Sequence, residues 1–296
     1  MHVLESSTKI AFKNILFLTD FSQASQTAME YAAVLAKHHD ATFYAAHVQT
    51  PAAPPHLEGP ALMEYFDASR EGMREQLTKL VAPLHVKSEV LLSEGLIEYA
   101  IERWTVMHGI DLIVVGTHGW RGLQRMLLGS TAELILRSAI CPVLTVGPHV
   151  SMAERQPDYV DRILFATDLT PQSEYAITYA LSLAHERCAH LTFLHVIDKH
   201  SHIPDQRRVS EYCKGELRRL APSDARLWCD PQFVVVEGDP AQEILNFAET
   251  DNSDLIVLGL PQDKVFSTYF RTGVTYSVVS GAPCPVLTVR DMLKSS

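Results

Sequence analysis

GTHGWRGLQRMLLGSTAELILRSAICPVLTV, residues 116–146, is the stretch from which the fold is read. It opens where the apolar run Asp111-Leu-Ile-Val-Val ends in Gly116, and it closes in a second apolar run, Cys141-Pro-Val-Leu-Thr-Val. Between them, LLGSTAELILRSA carries its apolar residues at helical spacing. Strand, turn, helix and strand therefore follow one another. Gly116 and Gly119 stand at the turn, and nine residues separate Gly119 from Gly129 and Ser130 at the head of the helix. Glycines there let the backbone turn sharply and let a ligand approach without meeting a Cβ. The first N–H groups of a helix have no partner within it and carry roughly half a positive charge. A phosphate satisfies both needs at Gly129-Ser130, with the Ser130 hydroxyl as one more donor. The same residues read a second way: Ser130-Thr-Ala-Glu133 is a capping box, serine and glutamate satisfying each other's backbone donors.

Outward from this stretch the chain is one unit written twice. Asn14-Ile-Leu-Phe-Leu-Thr-Asp20 reads as a buried strand ending in a carboxylate, and Arg162-Ile-Leu-Phe-Ala-Thr-Asp168 repeats it. Thr42 to Val48 returns as Leu191 to Val196, and Val86 to Leu92, with Glu94-Gly95 behind it, as Phe233 to Gly238. Leu112 to Val115 returns as Asp254 to Gly259, and Pro142 to Val146 as Cys284 to Val289. The spacing is 148 for Asp20 and Asp168 and for His47 and His195, and 143 for Gly95 and Gly238 and for Cys141 and Cys284. A single shortening by five residues after the second strand accounts for the change, where the first half has the proline-rich loop Pro51 to Pro60. A duplicated domain follows, with units at 1–148 and 158–291 and a join near Gly147 to Pro157. Strands alternating with helices (Ser22 to His38, Leu62 to Val81, Ile97 to His108) predict a parallel sheet covered on both faces. Ligands of such sheets bind beyond the carboxyl ends of the strands, where Asp20, Val48 and Gly116 fall.

Length and composition restrict the function. At 296 residues, 47% hydrophobic and 20% charged, the chain is an ordinary globular protein of about two domains. The net charge is −10, divided as −4 over residues 1–150 and −6 over 151–296. Neither half has the basic surface that nucleic acid or an anionic membrane requires. No apolar run is long enough to span a bilayer, and MHVLESSTKIAFKN lacks the order of a signal peptide, so a cytoplasmic protein is expected. Five cysteines without a CxxC pair suggest neither a disulfide framework nor a zinc knuckle. His200 and His202 lie in a polar loop, and two ligands do not fill a tetrahedral zinc site.

With Thr19-Asp20-Phe21-Ser22, His47-Val48, Glu94-Gly95, Gly116-Thr-His-Gly119, Gly129-Ser130 and Cys141-Pro-Val-Leu in view, the chain resembles a tandem universal stress protein over nearly all of both halves. The spacing Gly-x2-Gly-x9-Gly-Ser is that family's ATP-binding signature. The resemblance implies an α/β fold of two tandem, doubly wound, parallel five-stranded sheets, Rossmann-like and similar to the adenine nucleotide alpha hydrolases, of order 3-2-1-4-5. It implies ATP, with Mg2+, as the ligand. Asp20 would face the ribose or a phosphate-bound magnesium, and the Val48 backbone the adenine edge. Gly116 and Gly119 would admit the ribose and phosphates, which Gly129, Ser130 and Thr131 would hold, with Arg121 adding charge. It also implies an intrachain pseudo-dimer, Val143 to Val146 against Val286 to Val289, and it is compatible with a further homodimer.

The second half departs from the signature. Gly259 is kept, but Gln262 stands where the first half has Gly119. Counting back from Cys284 sets Thr272 opposite Gly129 and Gly273 opposite Ser130. Pro261, Phe266, Tyr269 and Phe270 crowd the intervening loop, so this half is expected to keep the fold and not to bind ATP by the same route. Asp168 and Val196 remain. No catalytic residue is assigned. There is no P-loop and no Gly-x-Ser-x-Gly elbow, and His118, between two glycines, has no acidic partner in sequence. The sequence reads as an ATP-binding stress-response or signalling module with at most slow hydrolysis. An ATPase on the same site and a nucleotide-free interaction scaffold are the alternatives.

Overall fold

The computed structural model describes residues 10–49, 54, 56, 58–117, 128–150, 160–199, 205–260 and 273–290. In the first half, strands β1 (Asn14–Leu18), β2 (Thr42–Gln49), β3 (Ser88–Glu94), β4 (Leu112–Gly116) and β5 (Val143–Val146) alternate with helices α1 (Gln23–His39), α2 (Gly59–Val81), α3 (Ile97–His108) and α4 (Ser130–Ser138). The second half repeats them: β6 (Arg162–Ala166), β7 (His190–Asp198), β8 (Gln232–Gly238), β9 (Leu255–Leu260) and β10 (Val286–Arg290), with α5 (Pro171–Arg187), α6 (Gln206–Leu220), α7 (Pro240–Thr250) and α8 (Val274–Gly281).

The two half-sheets are not separate. One ten-stranded sheet runs β3-β2-β1-β4-β5-β10-β9-β6-β7-β8. Within each half the order is 3-2-1-4-5 and the pairing parallel; where the halves meet, β10 lies antiparallel to β5. The last strands of the two five-stranded units were expected to pair, and that pairing joins the units into one continuous sheet. A terminal β5 would leave a row of unpaired backbone groups, and its twin in the same chain covers them. Val286 faces Thr145, Leu287 faces Leu144 and Thr288 faces Val143. The Thr145 hydroxyl donates to the Val286 carbonyl at 3.1 Å, and the Thr288 hydroxyl to the Val143 carbonyl at 3.2 Å. Leu144 and Leu287 are equivalent residues of the repeat, so a local twofold axis passes through their pair.

The central strands are apolar throughout because both of their faces are covered. Ile15 and Phe17 join Phe43, Phe165 and Phe193 in one core, under α1, α2, α5 and α6. Leu16 and Leu18 join Ile113, Leu164 and Ile256 in the other, under α3, α4, α7 and α8. Fully burying one such side chain stabilises the fold by about 1.5–3 kcal/mol. Helix α1 presents Ala28, Ala32 and Ala36 to the sheet, and α5 presents Ala176, Ala180 and Ala184, all 0–1% exposed. Without bulk on these faces, both helices lie close to the strands.

Two expected boundaries move. Helix α2 starts at Gly59, inside the proline-rich segment, because Pro60 occupies its first turn, where a missing N–H costs nothing. The third strand is Ser88–Glu94 rather than 86–92. Among the described residues no helix is long and apolar enough to cross a membrane, and no group of three or more His, Cys, Asp or Glu side chains is arranged to hold a metal ion. His200 and His202, and most of the expected join between the halves, lie outside the described residues.

Candidate functional site

The carboxyl edge of the first half-sheet gathers most of the residues singled out in sequence. Leu18 pairs with Ala46 on one side and Val115 on the other. Asp20, Val48 and Thr117 each follow two residues after one of these paired positions, at the carboxyl ends of three adjacent strands. The Gly129 N–H donates to the Thr117 carbonyl at 2.7 Å, which brings the head of α4 back to the end of β4. Asp20, Val48, Gly116, Gly129, Ser130 and Thr131 thus share one edge. Gly119 and Arg121, like His118, lie outside the described residues.

The turn after β1 is held by its own polar atoms. Asp20 is exposed, and its carboxylate accepts the Ser22 N–H at 3.0 Å. Phe21 has φ 61°, a left-handed conformation that costs a bulky side chain of order 1–3 kcal/mol and persists only where the surroundings enforce it. The enforcing bonds are plain. The Phe21 N–H donates to the Thr19 hydroxyl at 2.9 Å, that hydroxyl pairs with the buried Ser25 hydroxyl at 2.9 Å, and the His47 Nδ1 meets the Thr19 carbonyl at 2.8 Å. The chain leaves the sheet sharply after Thr19, while β2 continues to Gln49. Along β2 the backbone groups point alternately to either side. Ala46 accepts from Thr19 on the β1 side and Gln49 accepts from Gly95 on the β3 side, so the Val48 N–H and C=O face the β1 side, past the point where β1 has turned away. That edge is suited to a ligand with neighbouring donor and acceptor atoms.

Helix α4 is asymmetric in its capping. Gly129 is its N-cap, with φ −61° and ψ 144°, and no side chain caps it. Ser130 is the first helical residue, so the capping box read from Ser130 to Glu133 does not form. The cap position belongs to a residue without a side chain, and the buried Glu133 carboxylate pairs instead with Arg137 at 3.5 Å. Ser130 and Thr131 are exposed. At the other end, Arg290 of β10 donates to the Leu136 and Arg137 carbonyls at 3.0 and 3.1 Å. The negative end of the dipole has its cation, and at the positive end, among the described residues, no side chain caps the helix and two hydroxyls are exposed, an arrangement that suits an anion.

Gly116 has a packing role that the sequence did not reveal. A Cβ there would lie 2.9 Å from the Ala24 carbonyl oxygen and 3.2 Å from the Ser25 nitrogen. It makes room for the first turn of α1. Gly259 repeats this against α5, where a Cβ would lie 2.5 Å from the Ser173 Cα. This explains why the second half keeps that glycine while losing other parts of the signature.

The second half repeats the strained turn: Leu169 has φ 61°, the Thr167 and Ser173 hydroxyls pair at 2.7 Å, and the His195 Nδ1 meets the Thr167 carbonyl at 2.9 Å. Asp168 is exposed, and its carboxylate accepts both the Thr170 N–H and hydroxyl. At the last helix, counting from Cys284 misaligns the cap. Gly273, set opposite Ser130, is itself the N-cap of α8, in the place Gly129 holds on α4, because α8 begins one residue later. Gln262, Thr272 and the crowding Pro261, Phe266, Tyr269 and Phe270 lie outside the described residues. Sequence reasoning missed the Thr19–Ser25 pair, the turn at Phe21 and the part of Tyr276, whose hydroxyl accepts the Leu128 N–H at 3.3 Å from across the junction. The first two were detectable as equal spacings: Thr19 and Thr167, and Ser25 and Ser173, stand 148 apart like Asp20 and Asp168.

Comparison with known proteins agrees with this geometry. The model of the universal stress protein family matches residues 11–147 and again 160–290. A universal stress protein of Mycolicibacterium smegmatis is 29% identical over 294 residues, covering 93% of this chain and 96% of that one. A universal stress protein of Methanocaldococcus jannaschii is 34% identical over 141 residues, 46% of this chain and 82% of its own. Among solved structures, a universal stress protein from Archaeoglobus fulgidus superposes with a TM-score of 0.72 at 19% identity, covering 95% of this chain and 97% of that one, a likeness of fold.

Proposed function

The chain belongs to the universal stress protein family, and on that premise we propose that its N-terminal half binds ATP as a stress-response or signalling module of the cytoplasm, with hydrolysis at most slow. The units concerned are residues 1–148, which hold the nucleotide, and 158–291, which keep the fold. The observation that carries this reading is the head of α4: an N-terminus capped by no side chain, bearing the exposed Ser130 and Thr131, bonded through Gly129 to the end of β4. The triphosphate lies against that head. The adenine edge pairs with the Val48 backbone, and the exposed Asp20 carboxylate takes the ribose hydroxyls or the Mg2+ carried by the phosphates, the ion supplying charge neutralisation there. Gly119 and Arg121 complete the phosphate turn. Gly116 acts indirectly, by letting α1 and its Ser25 close on the Thr19 turn.

Calorimetric titration of the full chain with Mg-ATP tests this. One site per chain is expected. Ser130→Ala removes a hydrogen bond to a charged group, worth about 1.5–3 kcal/mol, and should weaken binding roughly tenfold or more. Absence of saturable heat, or two equivalent sites per chain, would overturn the reading. At a hundred times the dissociation constant, Mg-ATP should add about 2.7 kcal/mol to stability. A nucleotide-free scaffold would gain nothing.

A further inference from the structure

We propose that the cleft between α1 and α2 binds a small aromatic acid, with its carboxylate at the mouth and a ring hydroxyl or N–H turned inward. Helix α2 has 23 residues and buries only Leu77 and Val81. Leu62, Phe66, Met73 and Leu80 recur with them at helical spacing, on the same side of the helix, yet stay half-buried. Helix α2 therefore does not close on its neighbour. A cleft of about 340 Å3 remains between it and α1, with β1 behind. That volume falls within the range of small-molecule sites.

The class of ligand follows from the lining. The walls are apolar and in part aromatic: Phe17, wholly buried, with the half-buried Phe21, Met29 and Leu80. A flat ring finds ring and thioether neighbours there. The Thr19 and Ser25 hydroxyls, in residues 7% and 3% exposed, have no proton left to give. The Ser25 hydroxyl donates to the Ser22 carbonyl at 2.8 Å, so the bond between the two hydroxyls uses the proton of Thr19. This inner end offers oxygen lone pairs alone, which accept from a ligand O–H or N–H and repel a carboxylate. At the mouth stand the exposed Gln26, Gln76 and Lys79. Two amides and an ammonium supply N–H donors, and among the described lining residues there is no carboxylate, in a chain of net charge −10. Lys79 pairs with Glu75 at 2.7 Å, but both partners are exposed and such a pair contributes little, so the ammonium is open to an incoming carboxylate.

The second half is an internal control. Leu77-Thr-Lys-Leu80 returns there as Leu217-Arg-Arg-Leu220, with Leu77 and Leu217 both fully buried. Glu216 thus takes the place of Gln76, and Arg219, in the place of Lys79, is bonded to it at 2.5 Å. A rim carboxylate already answers that cation, so the acid has a site in the first half only. The cleft uses none of the residues assigned to the nucleotide, and the two readings stand or fall separately.

Calorimetric titration of the full chain with 6-hydroxy-2-naphthoate, without nucleotide, should show one saturable site per chain. 2-Naphthoate lacks the inward hydroxyl and should bind roughly two- to tenfold more weakly. 6-Hydroxy-2-naphthamide lacks the charge and should bind roughly two- to fivefold more weakly. Lys79→Met, and Gln76→Glu in imitation of the second half, lie at exposed positions and should each weaken the acid by a similar factor, while Lys79→Met leaves the amide unaffected. No saturable heat up to about 1 mM probe would overturn the proposal. Equal affinity for the acids with and without the hydroxyl would also overturn it, as would equal affinity for acid and amide. Binding that both substitutions leave unchanged would put the probe outside this cleft and have the same consequence.

Discussion

Gly116 is where a single residue separates packing from ligand binding. Its missing Cβ is required by the Ala24 carbonyl, 2.9 Å away, and that of Gly259 by Ser173, 2.5 Å away. Both neighbours are backbone of a helix's first turn and cannot yield cheaply. Gly116→Ala should cost about 1–3 kcal/mol by overpacking, and Gly259→Ala at least as much. Urea denaturation without nucleotide measures this, and equal stability of variant and wild type would return Gly116 to the ligand. From sequence both roles looked alike, because a glycine at a strand end marks close approach without saying of what. The decisive fact, an alanine-faced helix lying against that strand, is tertiary. The cysteines separate in the same way. Burial pushes the Cys141 thiol up to about 12 and the Cys229 thiol up to about 11. A raised thiol pKa means that the thiolate, the reacting species, is scarce until the pH approaches those values. Alkylation with iodoacetamide at about pH 8 should therefore modify the exposed Cys188 and spare Cys141 and Cys229. Mass mapping of the modified peptides checks it, and labelling of Cys141 in the folded chain would contradict its raised pKa.

At the scale of elements, α4 draws its environment from both halves. Arg290 of β10 holds its carboxyl end, and Tyr276 of α8 takes the N–H of Leu128, one residue before its cap. The half with the altered signature therefore helps set the start of the helix to which we assign the phosphates. Tyr276→Phe deletes one neutral hydrogen bond worth about 0.5–1.5 kcal/mol. Mg-ATP affinity should fall roughly two- to tenfold with little change in the thermal midpoint. Calorimetry on the full chain reads this directly, and unchanged affinity would confine Tyr276 to packing. Strand order and the pairing of last strands came from the family resemblance. The elements, their duplication and the gathering of Asp20, Val48 and Gly129 at one edge were legible in the sequence, because periodicity and repetition encode them. The cap of α4 was not. Ser130-Thr-Ala-Glu133 matches a capping box by composition, and only the backbone places Gly129 one step ahead of it. The offset of α8 escaped for the same reason: counting from Cys284 assumes helices of equal length, and α8 is one residue shorter than α4.

For the molecule as a whole, the junction decides whether two domains unfold as two or as one. One core cluster contains Phe12, Leu112 and Leu144 together with Leu183, Ile163 and Leu287, so it passes under β5 and β10 without interruption. The Ile10 N–H donates to the Ser182 hydroxyl at 2.8 Å, fastening the first half to α5. Neither half can open its junction strand without exposing apolar surface of the other. Unfolding in urea should be a single transition, and two tryptophans report it independently: Trp104, buried in the first half, and Trp228, against His185 in the second. With the other tryptophans replaced by phenylalanine, each reporter should give the same midpoint. Thr145→Val and Thr288→Val remove equivalent hydroxyls on either side of the local axis, both 1% exposed. Each should cost about 1 kcal/mol and should shift both reporters together, whichever half carries the substitution. Midpoints that separate, or a Thr288 variant that moves the Trp228 signal alone, would mean that the ten strands form two cooperative units joined only at their edges.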